Sequence, residues 1–257
     1  YHKILLLFLS TSLALKASEI LRKTEPNFLS KETVYQLVNL IPTGNDKLDK
    51  DLLLITCKNG LAAQAALHSV NNEHIMIALE IVARTKDVPD NDMKNMVTSH
   101  CVKCLSINDD DLNVSALRCL ISLNEAKMIP TDYLKMHLQS RNVTLKMAIY
   151  IAAAKMAQEG VQIPNELLDI FIEKWNSDLV GTAIVNACKN VKAAQYILER
   201  FNFGTLPPIQ LATRIIIQAS KHAELRPALL AWLEHSPYEN LDHNFDHVTR
   251  IILEKPT

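Results

Sequence analysis

The sequence predicts an all-α chain in which antiparallel helix pairs stack side by side as an α-solenoid. Three observations carry that expectation. Only 5 glycines and 5% aromatic residues leave little material for β-turns and strand faces, while 48% apolar and 21% charged residues are ordinary for a folded chain. An apolar-Ala-apolar core recurs as "IMIALEIVA" at Ala78, "VSALRCLIS" at Ala116, "LKMAIYIAA" at Ala148 and "GTAIVNACK" at Ala183, at spacings of 38, 32 and 35 residues. Each core follows an Asn/Asp-rich bend, and three of the four run on into an apolar-Pro step. A helix pair cannot bury its apolar stripe alone, so copies at this spacing are expected to stack.

Taken in order, the chain opens with "YHKILLLFLSTSLALKASEILRK", which imitates a signal peptide but holds an apolar run too short to span a bilayer. It reads as a buried helix continuing to about Arg22, and a start at Tyr1 rather than Met reads as a cut from a longer protein. A single repeat domain over 1–257 is expected, with residues 1–59 as N-terminal capping helices, 60–190 as the best-matching repeats and 191–257 as C-terminal helices. Within the repeats, bends at Asn71-Asn72, Asn108 to Asp111, Arg141-Asn142 and Asn176 to Asp178 each precede one alanine-centred helix. Asp, Asn and Ser cap helix starts, and carboxylates there meet the positive end of the helix dipole. The steps Val88-Pro89, Ile129-Pro130 and Ile163-Pro164 then end one helix and open the next, because proline fits only a first turn. Asp109, Asp110 and Asp111 therefore read as a capping bend before a helix near Leu112. An EF-hand loop would need alternating ligands, a glycine and a distal bidentate glutamate.

At these residues the chain resembles HEAT and armadillo-type helical repeats. The stretch "IPNELLDIFIEKWNSDLVGTAIVNAC", 163–188, is most similar to a HEAT unit: Pro164 opens the first helix, Leu167, Leu168, Phe171 and Ile172 pack inward, and Asp178 with Val180 opens the second. The resemblance implies a scaffold that binds other proteins along a curved surface. The chain departs from the pattern in lacking a recurrent arginine or lysine ladder and in varying its repeat length. A second resemblance is to pentatricopeptide repeats, through "ALEIVARTKDVPD" and "MAIYIAAAKMAQEGVQIPN", with Asp90, Thr131 and Asn165 after their prolines. It would imply reading of single-stranded RNA one base per repeat. The apolar positions Met93, Leu134 and Leu168 come about one residue early for that pattern.

Charge is balanced. Lys and Arg number 14 against 15 Asp and Glu up to Met128, and 13 against 13 beyond it. A nucleic-acid backbone binder usually shows a cationic face, so composition does not favour one. Cys57, Cys101, Cys104, Cys119 and Cys188 form no short-loop framework and read as reduced core thiols, hence an intracellular, reducing compartment such as cytoplasm or nucleus. "HCVKC" at 100–104 holds a CxxC without the second ligand pair a structural zinc would want, and both thiols fall on the apolar stripe of their helix. "DHNFDH" at 242–247 sets His243 and His247 one turn apart, but lacks the general base of a metalloprotease motif. Trp175 and Trp232 fall inside apolar stripes and read as packing between repeats. With no GxGxxG, phosphate-cradling Gly-Lys-Ser/Thr or GxSxG motif, the expected protein is not an enzyme and takes no cofactor or metal.

The expected function is a scaffold or adaptor docking a partner protein on the second helix of each repeat. The candidate partner-binding stripe is Glu80 and Arg84, then Arg118, Ser122 and Glu125, then Lys146 and Tyr150, then Thr182, Asn186 and Lys189. Its mixed sign suits a protein better than a polyphosphate. The alternative is a solvated face with no partner, or the RNA-binding reading.

Overall fold

In the computed structural model, residues 14–23, 25, 29–174, 178–201 and 209–234 are described, with the main chain alone at 179, 201, 209 and 232–234. Among the described residues the chain is all-helical and contains no strand. The helices fall into two compact units, Tyr1–Ile129 and Pro130–Thr257, so the division lies at one of the apolar-Pro steps.

The first unit contains α1 (Ala14–Lys23), α2 (Lys31–Val38), α3 (Asp46–Lys58), α4 (Ala62–His68), α5 (Asn72–Thr85), α6 (Asn91–Cys104) and α7 (Asp110–Ser122). Their starts follow from capping chemistry. Asn45 Oδ1 accepts from Leu48 N at 3.1 Å, Asn71 from Glu73 N at 2.8 Å, Asp90 from Met93 N at 2.7 Å and Asp109 from Leu112 N at 3.1 Å. The acidic bend is thus a cap at Asp109 with Asp110 and Asp111 in the first turn, as the sequence predicts. The caps also tie neighbours together: Asn71 Nδ2 donates to Asp46 at 2.9 Å, and Asn72 Nδ2 donates to Asp109 at 3.1 Å.

Helix contacts in this unit alternate. Besides sequence neighbours, α1 packs on α3, α3 on α5 and α5 on α7, while α2 packs on α4 and α4 on α6. Leu52, Leu53, Leu79, Val82, Leu112, Leu117 and Leu120 are fully buried between them. The α1–α3 contact is polar as well as apolar. The buried Asp51 carboxylate pairs with Arg22 at 3.0 Å and accepts from the buried Ser18 hydroxyl at 3.0 Å. Burying a charge is tolerated only with such partners.

The second unit contains α8 (Thr131–His137), α9 (Val143–Gln158), α10 (Asn165–Glu173), α11 (Asp178–Ala187), α12 (Val191–Phe201), α13 (Ile209–Ala219) and α14 (Arg226–Glu234). Pro130 and Pro164 stand immediately before α8 and α10, and Asn142 caps α9 by accepting from Leu145 N at 3.1 Å. The same alternation holds here: α9 packs on α11 and α11 on α13, while α10 packs on α12. Leu145, Ile149, Leu168, Phe171, Ile184 and Ile197 fill this core.

Ala78, Ala116, Ala148 and Ala183 lie on α5, α7, α9 and α11, and all four are buried. The two most extensive pairings, α5 with α7 and α9 with α11, join helices centred on these alanines. A methyl side chain lets helix axes approach where a bulkier one would hold them apart.

Candidate docking surfaces

In the first unit the candidate stripe lies on α5, α7 and the turn after it. Glu80 and Arg118 each follow their repeat alanine by two positions, and they meet: Arg118 Nη1 is 3.0 Å from Glu80 Oε1. The same Glu80 oxygen accepts from Ser115 Oγ at 3.0 Å, so this ion pair and hydrogen bond link α7 to α5. Arg84 is exposed and its Nε donates to the Glu80 carbonyl at 3.3 Å. Ser122 is half-buried and turns its hydroxyl onto the Cys119 carbonyl at 2.8 Å. Glu125 is held by Lys94 at 2.6 Å and Lys127 at 3.7 Å, which clamps the α7 exit to α6. Of the five, Arg84 and Arg118 present charge outward.

In the second unit the stripe meets a correction. Tyr150 is only 6% exposed and is no part of a solvent-facing ridge. Its ring stands edge-on to Phe171 with centroids 5.8 Å apart, and its hydroxyl accepts from Lys174 Nζ at 3.4 Å. The physical reason is a one-residue slip of register. Counting from Ala183, the residues at −1 and +3 are Thr182, exposed, and Asn186, half-buried. Counting from Ala148, those positions are Met147 and Ile151, whereas Tyr150 stands at +2 and turns onto Phe171 of α10. Lys146 is half-exposed and Lys189 exposed.

The residues that sequence reasoning missed are therefore apolar. Val143, Met147 and Ile151 recur every fourth residue along α9 and are 72%, 46% and 40% exposed. Lys155 follows one turn later, its Nζ donating to Gln158 Oε1 at 3.2 Å, and Lys189 Nζ donates to the Gln158 carbonyl at 3.3 Å. The i, i+4 spacing of the three apolar residues was readable. What concealed it is that α9 is apolar almost all round, so no polar stripe marks its outer side.

The thiols sit in the core. Burial raises Cys57 and Cys188 to about 12. Burial, with Cys119 alongside, raises Cys104 to about 11. Cys101 is raised well above its ordinary value, first by hydrogen bonding to Cys119 and then by burial. These four remain protonated at neutral pH, which removes their nucleophilicity, and all five cysteines are buried and free of disulfides. Burial also lowers His100, beside them, with Lys103 adding to the effect. Among the described residues no group of His, Cys, Asp and Glu is arranged to hold a metal ion. The "DHNFDH" stretch and Trp175 lie outside the described residues, as does the side chain of Trp232. No described helix is long and apolar enough to cross a membrane. Comparison with known protein families and with curated proteins finds no match.

Proposed function

We propose that the chain is a non-catalytic helical-repeat scaffold or adaptor that docks a partner protein on its alanine-centred helices. The supporting observation is the alternation of helix contacts in both units, α1 on α3, α3 on α5 and α5 on α7 in the first and α9 on α11 and α11 on α13 in the second, with α2 on α4, α4 on α6 and α10 on α12 alongside. Such alternation supports a solenoid of stacked pairs, whose repeated faces would form extended binding surfaces. The exposed side chains Arg84 and Arg118 in the first unit, and Thr182 and Lys189 in the second, belong to those faces.

The experiment is affinity purification with the full chain, followed by measured affinity of the recovered partner for Arg84→Glu, Arg118→Glu, Lys146→Glu and Lys189→Glu. At least one reversal is expected to weaken binding about tenfold, as charge reversal within an interface does. A stoichiometric partner insensitive to all four would remove these faces from the reading. Nuclease-sensitive recovery with steeply salt-dependent RNA affinity would replace it with the RNA-binding alternative.

A further inference from the structure

We propose that the outer ridge of α9 is a seat for an acidic amphipathic helix of a partner protein. This rests on the docking reading above and specifies its occupant. The ridge Val143, Met147, Ile151 ends at Lys155 and Gln158, so from Val143 to Gln158 it runs for about 22 Å at 1.5 Å per residue. Three apolar side chains spaced four residues apart and left in water match the way a groove or helix face receives another helix through i, i+4 anchors.

Charge decides between occupants. Lys155 and Lys189, from α9 and from the turn after α11, converge on one glutamine, and Lys146 adjoins Met147. Among the described residues none of these three ammonium groups forms an ion pair with a carboxylate; Lys155 and Lys189 have only uncharged acceptors. Glu159, which follows Gln158 directly, is half-buried and engaged elsewhere. A partner helix with apolar residues at i, i+4 and carboxylates toward one end and one flank would cover the ridge and neutralise these lysines together. The other occupants fit less well. A second copy meeting this face in a twofold arrangement would bring lysine against lysine. A nucleic-acid strand would want aromatic stacking platforms, and the ridge consists of Val, Met and Ile. A lipid surface is held by a broad apolar face of Trp, Phe and Leu rather than by one narrow ridge.

The test uses the full chain and three fluorescein-labelled peptides of about 18 residues, long enough to hold helical structure. The first carries Leu at i, i+4 and i+8 with Glu on its flanks and C-terminal end. In the second every Glu becomes Lys, and the third scrambles the first. The acidic peptide is expected to bind saturably in fluorescence anisotropy, at least about tenfold tighter than the other two, since like charge across an interface is penalised. Met147→Glu with Ile151→Glu should abolish binding, and both positions are exposed enough to leave the fold intact, to be checked by circular dichroism. Lys155→Glu with Lys189→Glu should weaken the acidic peptide about tenfold and admit the basic one. Equal binding of all three peptides, or binding unaffected by the Met147/Ile151 variant, overturns the inference. So does preference for phosphatidylserine vesicles or oligonucleotide over the acidic peptide, or self-association abolished by that variant. If the inference fails while a purified partner still responds to Arg84→Glu or Arg118→Glu, the docking reading survives it.

Discussion

Reversing the charge at Arg118 tests whether α5 and α7 are joined as described. The guanidinium lies 3.0 Å from Glu80, on side chains 53% and 27% exposed. At that separation Coulomb attraction in water is about 1.4 kcal/mol, and the cost of ordering two long side chains reduces measured exposed pairs to about 0.2–1 kcal/mol. Glu80 is already oriented by Ser115, so the pair belongs in the upper half of that range. Arg118→Glu removes the attraction and sets two carboxylates together, for a total loss of about 1–2 kcal/mol. For a chain of this size that lowers the melting temperature by about 2–8 °C. The exchange Glu80→Arg with Arg118→Glu should restore most of the loss, because the Ser115 hydroxyl can accept from a guanidinium as readily as it donates to a carboxylate. In 1 M salt the difference between single and double variants should shrink. Thermal denaturation of the wild type, both single variants and the exchange closes the cycle. If Arg118→Glu melts with the wild type, or the exchange recovers nothing, the two helices do not meet in this register.

Two further expectations concern the core and the turns. Gly60 ends α3 with φ +81°, and a Cβ there would stand 2.8 Å from Asp87 Oδ2, whereas Gly160 has φ +83° and open space. Both changes to alanine strain the backbone by about 1 kcal/mol, but only at Gly60 should Asp87→Ala recover part of the loss in urea unfolding. For the thiols, raised values in the folded state mean that the folded chain holds protons the unfolded chain releases. Their stabilisation is therefore complete below the ordinary thiol value of 9.0 and is lost as pH rises toward about 12. Denaturation midpoints should fall from pH 9 upward, and a thiol reagent at pH 8 should modify the cysteines only in denaturant. Fast labelling of the native chain would contradict their burial.

The legible part of this molecule is its punctuation. Asn71, Asp90, Asp109 and Asn142 each announce a helix because the side chain that caps it is local, within three residues of the amide it satisfies. The repeat alanines are legible for a similar reason: a small residue inside an apolar run has few uses other than close packing. What the sequence concealed is longer-range. The Glu80–Arg118 pair spans 38 residues, and neither residue alone indicates that the other's helix packs beside it. Tyr150 reads as polar by type, yet its ring is buried against Phe171 and its hydroxyl reaches Lys174.

Repeat position alone does not fix what a side chain does here. Two residues after the repeat alanine stand Glu80, Arg118, Tyr150 and Val185, serving as an ion pair in the first unit, a buried aromatic in α9 and a half-buried aliphatic in α11. At positions −1 and +3, α7 carries Ser115 and Cys119, both buried; α9 carries Met147 and Ile151, both exposed; α11 carries Thr182, exposed, and Asn186, half-buried. The helices therefore share a packing centre but turn different edges outward. A stripe drawn by extending one helix's polar pattern to the next crosses from surface into core, as it did at Tyr150. The side to examine for docking is set helix by helix, by which residues the next-but-one helix leaves uncovered. On α9 those residues are apolar and end in lysine, the combination on which the proposed docking of an acidic helix rests, whereas Arg118 on α7 is already paired with Glu80 of α5.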